Sequence, residues 1–169
     1  YADRVSINVE LPTVGGLKRL APEKDNGRIE GAMGEMKAAI VDTAEARTKY
    51  RSAPRFAPAG QSTQMIVGAD AATDGDIVTK ASTLYDRFGL RRVYYSAFSP
   101  IPDASSVLPL QRPPLMREHR LYQSDWLMRF YGFQPREVVA ATDDATGMLP
   151  LDIDPKLAWA LKHRQNFPV

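Results

Sequence analysis

Apolar and polar residues alternate one for one in Arg4-Val5-Ser6-Ile7-Asn8-Val9-Glu10, so Val5, Ile7 and Val9 share one face and Ser6, Asn8 and Glu10 the other. A period of two predicts a strand, which Pro12 ends. Residues 11–27 carry Pro12, Gly15, Gly16, Pro22 and Gly27 among charged side chains, which predicts a long loop. Loops of that length in small domains are often functional. The period then changes. Ile29, Met33, Met36, Ile40 and Ala44 recur at helical spacing and predict a helix of roughly five or six turns with a core-facing stripe.

The same order returns twice. Thr63-Gln64-Met65-Ile66-Val67-Gly68 reads as a strand that breaks at Gly68. Thr73 with Asp76 forms a capping-box pattern ahead of Ile77, Ala81, Leu84, Tyr85 and Phe88, and Gly89 supplies the left-handed position that ends a helix. Arg91-Arg92-Val93-Tyr94-Tyr95-Ser96-Ala97-Phe98 reads as a third strand, closed by Pro100 and Pro102. A proline-rich connection over residues 99–114 leads to a helix from about Met116, with Tyr122, Trp126 and Phe130 at four-residue spacing and Gly132 at its end. Beyond it lie the segment Pro135-Arg136-Glu137-Val138-Val139 and a last helix with Asp154 as N-cap and Pro155 in its first turn, ending near Asn166. Alternating strand–helix units predict an α/β fold with a parallel sheet, doubly wound or part of a barrel; three strands alone cannot close one.

Composition narrows the class. The 169 residues are 44% hydrophobic and 25% charged, as in a globular domain, which excludes disorder, collagen and a coiled coil. No run approaches the ~18 apolar residues a membrane helix needs, and Tyr1-Ala2-Asp3-Arg4 has no signal-peptide pattern, so a cytoplasmic protein without membrane partners is the expectation. With 22 basic against 20 acidic side chains the net charge of +2 gives no general pull on nucleic acid, and any anion site must be local. The absence of cysteine excludes disulfides, thiolate zinc sites and iron–sulfur ligation within these residues, and His119 and His163 are too few for a histidine-built metal site. A first residue other than Met and the ending Phe167-Pro168-Val169 read as the limits of a piece of a longer chain.

The polar face of the first strand is the most informative candidate. A parallel strand covered on both faces should be apolar throughout, so Ser6, Asn8 and Glu10 call for something polar opposite: a ligand in a barrel lumen, where a carboxylate and an amide suit hydroxyls or an ammonium group. The alternative is a half-exposed edge strand. Gln64 shares a face with Ile66 and Gly68, and Gly68 either admits a ligand close to the backbone or marks a strand end. Tyr94, Ser96 and Phe98 alternate with Val93, Tyr95 and Ala97, which leaves the lumen-facing set open, with core tyrosines as the alternative. Arg112, Arg117, His119 and Arg120 gather at the start of the helix after the third strand and suit a phosphate or carboxylate, unless Glu118 and Asp125 neutralise them. His119 otherwise reads as a packing residue, and Trp126, Phe130 and Trp159 as core.

These residues carry a resemblance. Ser6-Ile7-Asn8-Val9-Glu10-Leu11-Pro12, Gly16-Leu17-Lys18-Arg19-Leu20-Ala21-Pro22-Glu23-Lys24, Pro58-Ala59-Gly60-Gln61-Ser62-Thr63-Gln64-Met65-Ile66-Val67-Gly68-Ala69, Arg92-Val93-Tyr94-Tyr95-Ser96-Ala97-Phe98 and Arg117-Glu118-His119-Arg120-Leu121-Tyr122-Gln123 resemble the radical-SAM proteins assigned to DNA modification or repair. The resemblance implies a partial TIM-type (β/α)6 barrel in which a CxxxCxxC loop holds a [4Fe–4S] cluster that cleaves S-adenosylmethionine. Residues 1–134 would be the second half of that barrel and residues 135–169 an α-rich C-terminal extension leading toward a helix-hairpin-helix-like DNA-binding tail. The cluster loop and the other barrel half would lie upstream of Tyr1. Ser6, Asn8 and Glu10 would then meet the ribose or methionine part of the cofactor, Gln64, Ile66 and Gly68 its adenine and ribose, and Tyr95, Ser96 and Phe98 would approach from the last strand. The implied function is a fragment of a radical S-adenosylmethionine enzyme acting on DNA or another nucleic-acid-related substrate, inactive by itself. The competing readings are a non-catalytic nucleic-acid-binding module and a phosphate-binding barrel enzyme with Glu10 as general base, for which no paired acid stands at a recognisable spacing.

Overall fold

The computed structural model describes residues 2–102 and 105–166; Asp103 and Ala104 of the proline-rich connection and the ending Phe167-Pro168-Val169 lie outside the described residues. The described chain is α/β. Strand β1 (Val5–Ser6) pairs in parallel with β2 (Gln61–Val67), Val5 opposite Gln61 and Ser6 opposite Ser62, and the sheet order is β1, β2, β3 (Arg92–Ala97). The Arg91 amide donates to the Gln61 carbonyl at 2.8 Å and the Phe98 amide to the Val67 carbonyl at 2.8 Å, advancing along both segments together as a parallel pair must. The chain divides into two units, the first Tyr1–Met65 with Thr83–Tyr94, the second Ile66–Ser82 with Tyr95–Val169. A boundary at residue 134 therefore falls inside the second unit.

In the first unit the expected alternation survives as exposure while the ladder does not. Val9 is buried and Ser6 and Asn8 are exposed, yet regular pairing covers only Val5 and Ser6, with a single further bridge from Glu10 to Met65. The cause is Thr63. Its hydroxyl accepts the Val9 amide at 3.0 Å and donates to the Ile7 carbonyl at 2.6 Å, occupying the backbone groups a ladder would use.

Residues expected as loop contain helix α1 (Val14–Leu20). Two glycines in a helix cost about 1 kcal/mol each, but Thr13 accepts the Gly16 amide at 3.0 Å, a cap worth ~1 kcal/mol, and Leu17 is buried, worth ~2 kcal/mol. Helix α2 (Asn26–Lys49) follows under an Asp25 cap and is longer than its stripe suggests; only Met33 of that stripe is fully buried, and Ala44 is exposed. At the start of β2 the buried Gln61 side chain donates from Nε2 to the Met33 carbonyl at 3.1 Å and to the Phe88 carbonyl at 2.7 Å, joining the strand to α2 and to the segment that carries Phe88.

Helix α3 (Asp74–Phe88) matches its pattern. Both halves of the capping box form, the Asp76 amide to Thr73 Oγ1 at 3.1 Å and the Thr73 amide to Asp76 Oδ2 at 2.8 Å, and Ile77, Ala81, Leu84 and Phe88 are buried. In the second unit α4 (Leu115–Tyr131) ends at Gly132, α5 (Pro135–Ala140) carries a Gln134–Glu137 capping box, and α6 (Pro155–Lys162) is capped by Asp154 before a 3-10 turn over Arg164–Asn166. The aromatic stripe expected to be core in α4 is overturned: Leu121 and Leu127 are buried together with Arg117, Ser124 and Asp125, while Trp126 and Phe130 face solvent. No helix among the described residues is long and apolar enough to cross a membrane.

Candidate functional site

The first unit holds a cleft of about 610 Å³ lined by Ser6, Asn8 and Glu10 from the chain around β1 and by Glu23, Lys24 and Arg28 from the turn into α2. Local folding puts each group there. The Ser6 hydroxyl lies 3.1 Å from the Ser62 carbonyl and 3.4 Å from Asn8 Oδ1, so the two polar side chains stand together. Glu10 sits at φ 63°, a left-handed conformation rare for a residue with a Cβ, and its amide reaches the Gln64 carbonyl at 3.2 Å. That turn aims the carboxylate at Lys24, whose Nζ lies 2.5 Å from Oε1. Lys24 is fixed in turn by a hydrogen bond from its amide to the Ala21 carbonyl at 2.9 Å, and Asp25 caps α2 through the Arg28 amide at 2.7 Å. An acceptor, an ammonium, an amide and a hydroxyl thus border one open space, a donor set that fits a zwitterion carrying hydroxyls.

The structure gathers Ser6, Asn8 and Glu10 as the sequence suggests. Gln64 is half-buried on the side of β2 away from the packed core but does not line the cleft. Lys24 and Arg28 escaped the pattern reading because both lie in what looks like loop and helix surface. The one available signal was the position of Lys24 immediately before a helix-capping Asp25.

The remaining candidates belong to the second unit. Ile66 is half-buried, and Gly68 at φ +80° lies against Pro113, whose Cγ would sit 2.7 Å from any Cβ placed there. The close approach Gly68 permits is therefore to proline. Ser96 is half-buried, whereas Tyr95 points to the opposite face, as neighbours on a strand must, and is 2% exposed. Its ring meets Tyr122 edge to face at 5.1 Å and its hydroxyl lies 3.5 Å from Asp125 Oδ1, the core position that the alternation had left open as the alternative for the tyrosines.

The basic cluster is also dispersed. Arg117 is buried, its Nε 2.7 Å from Asp74 Oδ1 and its Nη2 2.9 Å from the Ala72 carbonyl. Arg120 bonds Gln123 and the Leu151 carbonyl, both at 2.8 Å. Arg112 and His119 remain exposed. Arg117 is neutralised by Asp74, which the sequence did not flag; Glu118 instead accepts the Ala97 amide at 3.0 Å and Asp125 pairs with Arg129 at 2.8 Å. Among the described residues no three His, Asp or Glu side chains converge as metal ligands.

No family model, curated protein or solved structure matches this chain.

Proposed function

We propose that this chain is part of a radical S-adenosylmethionine enzyme of a partial (β/α)6-barrel type, with the cleft of the first unit holding the amino-acid and ribose end of the cofactor. The observation that carries the reading is Glu10, held at a left-handed backbone position with its carboxylate against Lys24 at the rim of that cleft. In this reading Glu10 accepts from the ligand ammonium, Lys24 donates to its carboxylate, and Asn8 and Ser6 bond hydroxyls. The parallel strands of the sheet and the polar Ser6-Ile7-Asn8-Val9-Glu10 segment support it. When bound, the sulfonium cofactor supplies a carbon–sulfur bond that can be cleaved reductively. The [4Fe–4S] cluster does not fit these residues, because none of the 169 side chains is a cysteine thiolate. The reading assigns its ligands to residues upstream of Tyr1, and the substrate to DNA.

The test is S-adenosylmethionine affinity, by equilibrium dialysis, of a chain that includes those upstream residues. Asn8→Ala and Glu10→Gln should each weaken binding by about 1–3 kcal/mol, because each leaves a partner group unpaired. Unchanged affinity in both variants overturns the proposal.

A further inference from the structure

The C-terminal half of α4 turns three aromatic rings outward. Trp126, Phe130 and Tyr131 are 52%, 58% and 61% exposed, while the same helix buries Arg117, Ser124 and Asp125. Folding alone drives the opposite arrangement. Trp126 and Phe130 lie one turn apart with ring centroids 4.3 Å from each other. Between Trp126 and Tyr131 opens a notch of about 280 Å³, floored by the buried Leu127 and Pro155 and edged by Gln123, Asp154 and Lys156.

Charge is arranged around the rings. The Arg129 guanidinium lies 4.7 Å from the Phe130 centroid and Lys156 Nζ 5.4 Å from that of Tyr131. The two nearest carboxylates are engaged: Asp125 is buried on Arg129 at 2.8 Å, and Asp154 accepts the Leu157 amide at 2.9 Å.

We infer that this notch takes one base of a single-stranded nucleic acid, stacked on Trp126 or Tyr131, with Lys156 toward the phosphate. The volume admits a planar ring system and its sugar. Two aromatic faces accept any base, since every base has a π face. Gln123 presents its side-chain amide to the base edge. Lys156, the cation at the notch, complements a phosphate; a neutral proline-rich peptide, the other occupant that aromatic notches take, leaves it without a counter-charge. The site uses residues of the second unit only, so it stands independently of the cofactor reading.

The experiment is a titration of a fluorescein-labelled oligothymidylate of about eight nucleotides with the protein, with affinity read from the anisotropy of the label and stacking from tryptophan fluorescence. Binding should quench the emission, and Trp126→Leu and Tyr131→Leu should each weaken it about 5- to 100-fold. Both side chains are exposed, and circular dichroism of each variant checks that it folds. Trp159→Phe should leave affinity and quenching in place, assigning the signal to Trp126. Lys156→Gln should reduce the slope of log affinity against log salt by about 0.7. The inference is overturned if the oligonucleotide does not bind, if it binds equally after loss of both rings, or if an uncharged proline-rich peptide binds the notch in its place.

Discussion

Glu10 shows how one residue separates a structural role from a binding role. A left-handed backbone costs a residue with a Cβ roughly 1–2 kcal/mol. Its ion pair returns little, because side-chain exposures of 19% for Glu10 and 38% for Lys24 leave the pair hydrated, and such pairs are worth about 0.2–1 kcal/mol. Glu10→Gly should therefore change stability by no more than about 1 kcal/mol in urea unfolding while weakening ligand binding in the cleft by about 1–3 kcal/mol; a stability loss of several kcal/mol would make Glu10 a structural residue. Two glycines give a paired comparison. Gly132 at φ +73° has open space around it, so Gly132→Ala should cost only backbone strain, about 1 kcal/mol. Gly68→Ala must in addition displace Pro113 and should cost about 2–4 kcal/mol, read from the difference in denaturation midpoints.

Among elements, the Asp74–Arg117 pair ties the start of α3 to α4, and Asp74 Oδ2 also accepts the Leu149 amide at 2.9 Å. With side-chain exposures of 0% and 8%, losing one partner strands a buried charge. Arg117→Met should destabilise by about 3–5 kcal/mol, and adding Asp74→Asn should restore at least half of that, because the carboxylate is gone while an oxygen remains for Leu149. Destabilisation that simply adds would deny the coupling. In the turn after α5, hydrogen bonds from the Thr146 hydroxyl and then the Thr146 amide hold Asp143 below its usual 3.8. A depressed carboxylate stabilises the fold above its unfolded value and loses that contribution as pH falls through the folded one. The turn should therefore open only below about pH 4, and Asp143→Asn should remove that acid step from the Thr146 amide shift in NMR.

These elements also show what could be read in advance. Helix α3 was legible because its cap, its apolar period and its closing Gly89 agree, the condition under which local signals specify structure. Helix α1 was not, because two glycines argue against a helix whose support is one hydroxyl and one buried leucine. The stripe of α4 misled because Trp126 and Phe130 are apolar by composition, while the buried partner of Arg117 comes from 43 residues away in Asp74. The alternation around β1 revealed its exposed polar face, but the interception of its ladder by Thr63 is a tertiary contact that no local period encodes.

At the scale of the whole molecule, the absence of thiolates predicts that anaerobic reconstitution of these 169 residues yields no stoichiometric iron and no charge-transfer absorption, and either would refute it. The fold also has an inherent clock. The Gln61 amide points its two hydrogens at the carbonyls of Met33 and Phe88 from a position only 2% exposed. Hydrolysis of that amide to a carboxylate would replace both donors with a negative oxygen facing two negative carbonyl ends, with no water to screen them. Deamidation there requires the first unit to open, and the product resists closing again. Gln61→Glu should thus cost more than about 3 kcal/mol at neutral pH and less in acid, where the protonated side chain regains a donor, whereas Gln61→Met should cost about the same at both. A single exchange of nitrogen for oxygen would mark aged molecules as those that no longer refold.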